Sequence, residues 1–347
     1  MLTKKSSRQV NIAKRAYFGY DIVMKVQKCD DKKSWREHAL KQKQSEFLQS
    51  WEWGEFQEKV GNKVVRLQFF ENGQVIDQVQ GFEHKLLNFI KYIYLPKASN
   101  LEPFLDGFKG RGYVFARVEF AGNSGILDGY KIFDTVNRQP QNIFVLNLAE
   151  NKEDELFKKM HSKTRYNIGL AQRKGVEVKK EKNIDVFWKL NEETIGRDKF
   201  RSHNKNYYKK MLEMENCYQL IAYFEGEAIA SNILIHFGNT LTYLHGASGN
   251  KYRNLMAPYL LQLEGIRLAK KINDIYYDFG GVAPEVKDKE TQSTCFNGFC
   301  WELKHKWTGI TRFKVGFGGE WKKYPQAQEI VFKPNLYKLY KLAKKIL

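Results

Sequence analysis

Apolar and polar positions change rhythm several times along the chain, and the sharpest change lies between Leu241 and Gly281. LTYLHGAS is apolar, rich in β-favouring residues and broken by Gly246 and Gly249, which reads as a strand entering a loop. From Met256 the apolar residues fall at Leu260, Leu261, Leu263, Ile266, Leu268 and Ala269, close to a 3.6 period. Pro258 stands in the first turn, where its missing N–H costs nothing, so a helix facing a core is predicted. Asn273-Asp274 end it, and IYYDF reads as a buried strand running into Gly280-Gly281. Strands joined by such a crossover helix are expected to be parallel.

The same reading extends along the rest of the chain. Residues 1 to about 44 are polar, basic and irregular, with a surface helix predicted over Lys32 to Gln44. SEFLQSWEWGEFQEKVG predicts a helix with Ser45 as N-cap, core residues Phe47, Trp51, Trp53 and Phe56, and Lys59 at its end as a candidate for substrate binding. Strands are predicted at Val64 to Phe70, Gln74 to Phe82, Tyr92 to Leu95, Gly112 to Glu119 and Asn142 to Ala149, with a hairpin turn at Asn72-Gly73. A first sheet domain is expected to close near Glu150. Asp154 to Gly175 carries helical spacing as one segment, with Gly175 as the stop, and Val186 to Met214 reads as helical. YQLIAYFEGEAIASNILIHFGNTLTYLHGAS then gives three β-rich runs with turns at Glu225-Gly226 and Gly238-Asn239. Phe313 to Gly319 reads as a glycine-rich strand. The final segment places Leu336, Leu339, Tyr340, Ala343 and Leu347 on one helical face, with Lys338, Lys341, Lys344 and Lys345 around it.

Length and charge add partners to this outline. A chain of 347 residues with 42% apolar content is long enough for two cores. Lys and Arg exceed Asp and Glu by 58 − 39 = 19, which favours polyanionic partners, nucleic acid or an anionic lipid surface, over a merely soluble basic protein. Lys163, Arg165, Arg173 and Lys174 crowd one predicted helix and are candidates for contact with nucleic acid, or else a solvated face. The four cysteines, Cys29, Cys217, Cys295 and Cys300, form no CxxC pair and are expected to be reduced thiols in the cytoplasm, with no metal site. No apolar run reaches about 18 residues, so a chain neither secreted nor membrane-spanning is expected.

The order hairpin, strand, helix, strand is that of acetyl-CoA-dependent acyltransferases, in which two neighbouring strands splay and the acyl donor lies in the wedge. SEFLQSWEWGEFQEKVG, SKTRYNIGLAQRKGVEV, YLHGASGNKYRNLMAPYLLQLEGIRLAKKIN, YYDFGG and GITRFKVGFGGEWKKYP together resemble the Fem aminoacyltransferases, the FemABX group that builds peptidoglycan cross-bridges. The resemblance spans about residues 45 to 340 with the blocks in the family's order. It implies an α/β fold of two domains that each resemble the acetyltransferase (GNAT) fold, with mixed sheets and splayed strands. Residues 1–152 and 325–347 would form the first, precursor-binding domain, the C-terminal helix returning to it, and residues 153–324 the second, on the aminoacyl-tRNA side.

The resemblance further implies aminoacyl-tRNA as donor and a nucleotide-linked or lipid-linked pentapeptide precursor as acceptor. It implies no cofactor, and a cytoplasmic location with peripheral contact at the anionic inner membrane face as an added expectation. An amine of the stem peptide attacks the ester carbonyl at the charged tRNA end, and the negative charge that develops calls for a fixed cation or N–H donors. Lys314, with Phe313 beside it, matches the family's Phe-Lys pair and carries that implied role. Where the family has an arginine four residues before a tyrosine for the precursor's phosphates, this chain has His203 before Tyr207, with Arg201 and Lys205 close by. Where the family has a Pro-Arg-Gly-Pro-like turn and an acidic base, PKASNLE supplies Lys97 and Glu102. Tyr243 and Tyr252 are placed to contact an acceptor peptide, or alternatively are aromatic core positions. Two other readings stand beside this one: an acetyl-CoA-type N-acyltransferase of the same fold, and a non-catalytic protein that binds tRNA or an anionic surface.

Overall fold

The computed structural model describes all residues except 1–9, 12–14, 18–19, 23, 42–45, 87–89, 123–126, 150–152, 200, 287–291 and 347. Its residues fall into two compact units, Met1–Gln139 with Tyr324–Leu347, and Pro140–Lys323. Among the described residues no helix is long and apolar enough to cross a membrane.

The first unit is built on an eight-stranded sheet in the order Val10–Asn11, Met24–Lys28, Lys63–Glu71, Gln74–Leu86, Ile90–Ala98, Phe115–Phe120, Gln328–Val331, Lys131–Asp134. Asn72 and Gly73 take φ of 47° and 82°, the left-handed pair that a tight hairpin between Lys63–Glu71 and Gln74–Leu86 requires. Ile90–Ala98 and Phe115–Phe120 are parallel, and Leu67, Ile93, Leu95, Phe104, Phe108, Val118 and Ile330 pack as the core. Ser45 lies outside the described residues; the helix Trp51–Lys59 begins instead at Ser50, whose side chain accepts from Trp53 N at 3.0 Å.

The C-terminal helix, Pro334–Ile346, belongs to this unit, but not on the face expected from its leucines. Leu339 is 41% exposed, whereas Tyr337 and Tyr340 are buried against Tyr92 and Phe115. The tyrosines win the inner face because their hydroxyls have buried partners there. Tyr337 Oη donates to Glu329 at 2.5 Å, and Arg117, itself paired with Glu329, donates to Tyr340 Oη at 3.1 Å. A leucine at Tyr337 or Tyr340 would take one hydrogen-bond partner away from Glu329 Oε2 or from Arg117.

The second unit carries a seven-stranded sheet in the order Glu177–Lys180, Cys217–Phe224, Glu227–Phe237, Thr240–Ser248, Tyr276–Gly281, Asn142–Asn147, Glu320–Lys323. Asn142–Asn147, expected to close the first sheet, is thus a strand of the second, hydrogen-bonded to both Tyr276–Gly281 and Glu320–Lys323. Thr240–Ser248 and Tyr276–Gly281 are parallel across the helix Ala257–Lys271, as the sequence pattern predicts. That helix packs close because Gly265 has no side chain: a Cβ there would lie 2.6 Å from the Tyr277 hydroxyl.

Two long helical segments are each divided. Residues 154–175 form Glu153–Lys159 and Ser162–Arg173, because His161 leaves the helix and caps the second one by accepting from Lys163 N. Residues 186–214 form Ile184–Asp198 and Lys205–Leu212, the latter capped by Asn204. The expected two-domain α/β fold, with mixed sheets of acetyltransferase type and the last helix returning to the first unit, is the fold observed.

Candidate active site

The candidate site lies where the parallel pair of the second unit comes apart. Pairing runs through Thr240↔Tyr276, Leu241↔Tyr277 and Thr242↔Asp278 and then stops, although the strands continue to Ser248 and Gly281. Asp278 turns the end of its strand: its Oδ1 accepts from Gly280 N at 2.7 Å, and Gly280 takes φ 73°. A side chain at Gly280 would meet the Tyr243 carbonyl at 3.4 Å and Lys314 Nζ at 3.6 Å, so the glycine keeps the wedge open.

Lys314 enters this wedge from a helix, not from a strand as expected. Thr308–Val315 is helical, with Thr311, Lys314 and Val315 on its buried face, and the following glycines end it, Gly318 and Gly319 taking φ of 79° and 127°. The alternation of Phe313, Val315 and Phe317 looks like a strand, but the i, i+3, i+4 spacing of Thr311, Lys314 and Val315 wins because it buries one face against the core. Lys314 is 5% exposed, and its Nζ donates to the Gly281 carbonyl at 2.7 Å. Burial pulls its pKa down to about 8, with the Asp278 charge drawing it back up. An ammonium has three N–H donors, so the cation has capacity beyond Gly281. Phe313 packs edge-on against Tyr259 and Phe317 and holds the helix rather than the wedge.

Tyr243 lies beside the cation, its ring centre 5.7 Å from Lys314 Nζ. A bulge in the pairing of Glu227–Phe237 with Thr240–Ser248 sets Leu234 opposite Tyr243 and Ile233 opposite His245. The bulge brings Tyr243 and Gly246 onto one face, and a Cβ on Gly246 would fall 1.9 Å from the Tyr243 hydroxyl. Burial pushes that phenol up to about 12, which keeps it a neutral donor.

A second cluster in the same unit gathers His203, Tyr207, Tyr208 and His245. His203 stacks on Tyr207 with ring centres 3.7 Å apart, Tyr208 stands edge-on to His245 at 5.1 Å, and Ser202 shares a 2.7 Å hydrogen bond with the Tyr208 hydroxyl. Burial lowers the His203 pKa; burial, with the charge of His203 added, pulls His245 down to about 3. Arg201 is exposed beside this cluster, and Lys205 forms a 2.6 Å ion pair with Asp185.

The remaining predicted site residues are dispersed. Tyr252 packs against Phe224 at 5.2 Å, with Lys251 over its ring. Lys163, Arg173 and Lys174 are exposed on the helix Ser162–Arg173 or at its end, whereas Arg165 turns back to donate to the carbonyls of Lys158 and Met160 that end the preceding helix. In the first unit, Lys97 is buried at φ 50° with its Nζ 2.8 Å from the Tyr324 ring centre, Glu102 is exposed in the turn Glu102–Phe104, and Lys59 is exposed at the end of its helix. Sequence reasoning gave no site role to Asp278, Gly280, Gly281, Tyr208 or His245, although the first three lie in the YYDFGG block. An Asp followed two residues later by paired glycines at a strand end was the available signal for the first three.

The sequence model of the FemAB family matches residues 126–225 and 216–345, together more than half of the chain. The lipid II:glycine glycyltransferases of two strains of Staphylococcus epidermidis are 30% identical over 92 residues, 26% of this chain. The match spans 21% of the length of those relatives. In structure, the chain is similar to a crystal structure of FemX, with a TM-score of 0.72, 16% identity and coverage of 89% of this chain and 98% of that one. It is also similar to a conserved protein of unknown function from Bacteroides thetaiotaomicron, with a TM-score of 0.52, 10% identity and coverage of 87% and 96%.

Proposed function

Because the chain belongs to the FemAB family, we propose that it transfers an amino acid from aminoacyl-tRNA to the stem-peptide amine of a peptidoglycan precursor, forming a cross-bridge peptide bond. The observation that carries this reading is Lys314: a buried lysine, donating to the Gly281 carbonyl at 2.7 Å, in a wedge between strands that part. In the proposed reaction the acceptor amine adds to the ester carbonyl and gives a proton to a general base, the C–O bond to the tRNA ribose breaks, and the leaving ribose oxygen takes up a proton to end as a hydroxyl. The tetrahedral oxyanion formed on the way is met by the Lys314 cation, which is fixed before the reaction and shielded from water. Tyr243, a neutral donor, orients the acyl group or the acceptor peptide beside it.

Precursor contacts are assigned to Arg201, His203, Lys205, Tyr207 and Tyr252 in the second unit and to Lys59 and Lys97 in the first, with Glu102 as general base. The Lys205–Asp185 pair is at the surface, where solvent screens it and leaves it weak, so Lys205 can exchange it for a phosphate. Lys163, Arg173 and Lys174 are assigned to tRNA phosphates. The basic charge of +19 supports that partner and, with it, peripheral contact with an anionic membrane. The test is to incubate the protein with pooled aminoacyl-tRNAs and either nucleotide-linked or lipid-linked pentapeptide precursor, and to weigh the products. A precursor heavier by one amino-acid residue supports the proposal. Unchanged precursor mass with every tRNA and both precursors would refute it, and transfer from acetyl-CoA instead would establish the N-acyltransferase reading.

A further inference from the structure

The hairpin Ser293–Phe296 and Phe299–Glu302 forms a two-stranded sheet of its own, turned by Asn297 and Gly298 at φ 51° and 81°. Cys295 and Cys300 are directly opposed across it and joined by a disulfide. This departs from the expectation of four reduced thiols, which holds for Cys29 and Cys217, both free and buried. The difference is one of register: only Cys295 and Cys300 are cross-strand neighbours. It is also one of access, since Cys295 is exposed and Cys300 half-buried.

What the hairpin touches gives the pair its consequence. Asn297, at the turn, donates through Nδ2 to the Val315 carbonyl at 2.9 Å, at the end of the helix that carries Lys314. Phe296 lies 3.9 Å from the His161 ring and under the Arg312 guanidinium at 4.7 Å, against the same helix end. At the other end Trp301, fully buried, donates to Thr308 Oγ1 at 3.3 Å. The start of this helix has no side-chain cap of its own. Residues flanking the two cysteines therefore hold both ends of the helix that aims Lys314.

We propose that Cys295 and Cys300 are a thiol–disulfide modification site that responds to low-molecular-weight thiols and disulfides and sets how firmly the Thr308–Val315 helix, and with it Lys314, is held. Oxidation proceeds by exchange. The thiolate of one cysteine attacks a small disulfide RSSR and expels RSH after protonation, and the second cysteine's thiolate then attacks the mixed disulfide and expels another RSH. The dithiol is oxidised, RSSR is reduced to two RSH, and reduction is the reverse. A two-stranded hairpin without a third strand is marginal by itself in water, so the crosslink fixes the register that keeps Asn297 and Trp301 on the helix together. Cys29 and Cys217 do not compete: burial raises both thiols, Cys217 to about 12, and holds them as unreactive thiols.

The site rests on the geometry alone, and only its effect on turnover rests on the proposed transfer. The experiment compares the wild-type protein equilibrated with reduced or with oxidised glutathione, reading alkylation by mass, amide hydrogen exchange over residues 308–316 and, separately, single-turnover transfer. Cys295 and Cys300 should resist alkylation in the oxidised protein and label fully after reduction. Exchange over 308–316 should quicken on reduction, and turnover, where transfer is seen, should fall by about tenfold to a hundredfold through misplacement of the lysine. Asn297→Ala should leave the disulfide intact but weaken the redox response of the helix, which a merely local crosslink would not show. The Cys295→Ser/Cys300→Ser double variant should match the reduced protein in both buffers. Cysteines that stay alkylatable in excess oxidised glutathione, or exchange over 308–316 that is the same in both states, would overturn the proposal. Redox-dependent exchange without transfer in either state would leave this site standing and remove the transferase reading instead.

Discussion

Lys314 is buried as a cation, and the consequence for stability has a definite sign. Its pKa falls from 10.5 in the unfolded chain to about 8 in the folded one. Between those values the unfolded chain holds a proton that the folded chain has released, so rising pH stabilises the fold across the window from 8 to 10.5. The shift of 10.5 − 8 = 2.5 corresponds to about 3 kcal/mol of instability carried at neutral pH. Lys314→Met keeps an unbranched side chain and removes the charge. It also loses the hydrogen bond from the charged ammonium to Gly281, worth about 1.5–3 kcal/mol, so the variant should be more stable at pH 7 by at most about 1.5 kcal/mol. The difference between variant and wild type, measured by urea unfolding at a series of pH values, should shrink by about 1.4 kcal/mol per pH unit above 8 and change sign before 10.5. Buried tyrosines and Cys217 titrate in the same range with the opposite sign, but they are common to both proteins and cancel in the difference. Under the proposed function the single-turnover rate rises with pH as the acceptor amine loses its proton and falls again through about 8 as Lys314 loses its own. The Met variant should be about 10²–10³ slower at pH 7 and lack the falling limb. A stability difference that is flat from pH 8 to 10 would show that Lys314 is not the buried cation, and the catalytic role would lose its physical basis.

Other consequences are more local. Asp278→Asn removes the charge that draws the Lys314 pKa upward, so the falling limb of the rate profile should move below pH 8; an unchanged limb would deny that coupling. Gly265→Ala should destabilise the second unit by about 1–3 kcal/mol through the Tyr277 hydroxyl, and denaturant unfolding should recover part of the loss in a Tyr277→Phe background. Glu329→Gln leaves the buried Arg117 without its counter-charge and should cost the first unit about 3–5 kcal/mol; a loss below about 1 kcal/mol would mean that the C-terminal helix is held by apolar contacts alone. Lys163, Arg173 and Lys174 changed together to alanine should flatten the salt dependence of tRNA binding by about 0.7–0.9 log unit for each phosphate no longer neutralised, whereas Arg165→Ala should lower stability more than it changes that slope.

The parts of the fold that were legible in the sequence share one property: a local rule and the tertiary core ask for the same thing. The Asn72-Gly73 hairpin, the Pro258 helix start and the parallel strand pair around it are of this kind. Where the two disagree, the pattern misleads. Asn142–Asn147 has nothing in its own residues to say which of two sheets it joins, since its partners lie at Tyr276–Gly281 and Glu320–Lys323, more than a hundred residues away. The C-terminal helix offers leucines and tyrosines on overlapping faces, and the choice is made by a buried arginine and glutamate on distant strands. His161 breaks a helix that apolar spacing carries straight through, because a cap depends on one side chain rather than on periodicity.

Lys314 could be named as a candidate from the sequence, whereas its setting could not, and the setting bears on what the residue can do. On a strand edge a lysine would alternate with its neighbours and reach solvent, with an ordinary pKa and a mobile charge. On the helix Thr308–Val315 it is carried at a fixed angle, its stem packed in the core and its ammonium tied to the Gly281 carbonyl. The energy that disfavours the buried cation comes from the packing of that helix, and it is present before any substrate arrives. An oxyanion forming within reach of the remaining N–H donors would relieve that cost in the transition state, whereas a neutral ester carbonyl in the ground state would relieve much less. The helical placement therefore makes Lys314 better suited to accelerating acyl transfer than to holding a phosphate, because a phosphate would neutralise the cation in the ground state and leave nothing further to gain as the reaction proceeds.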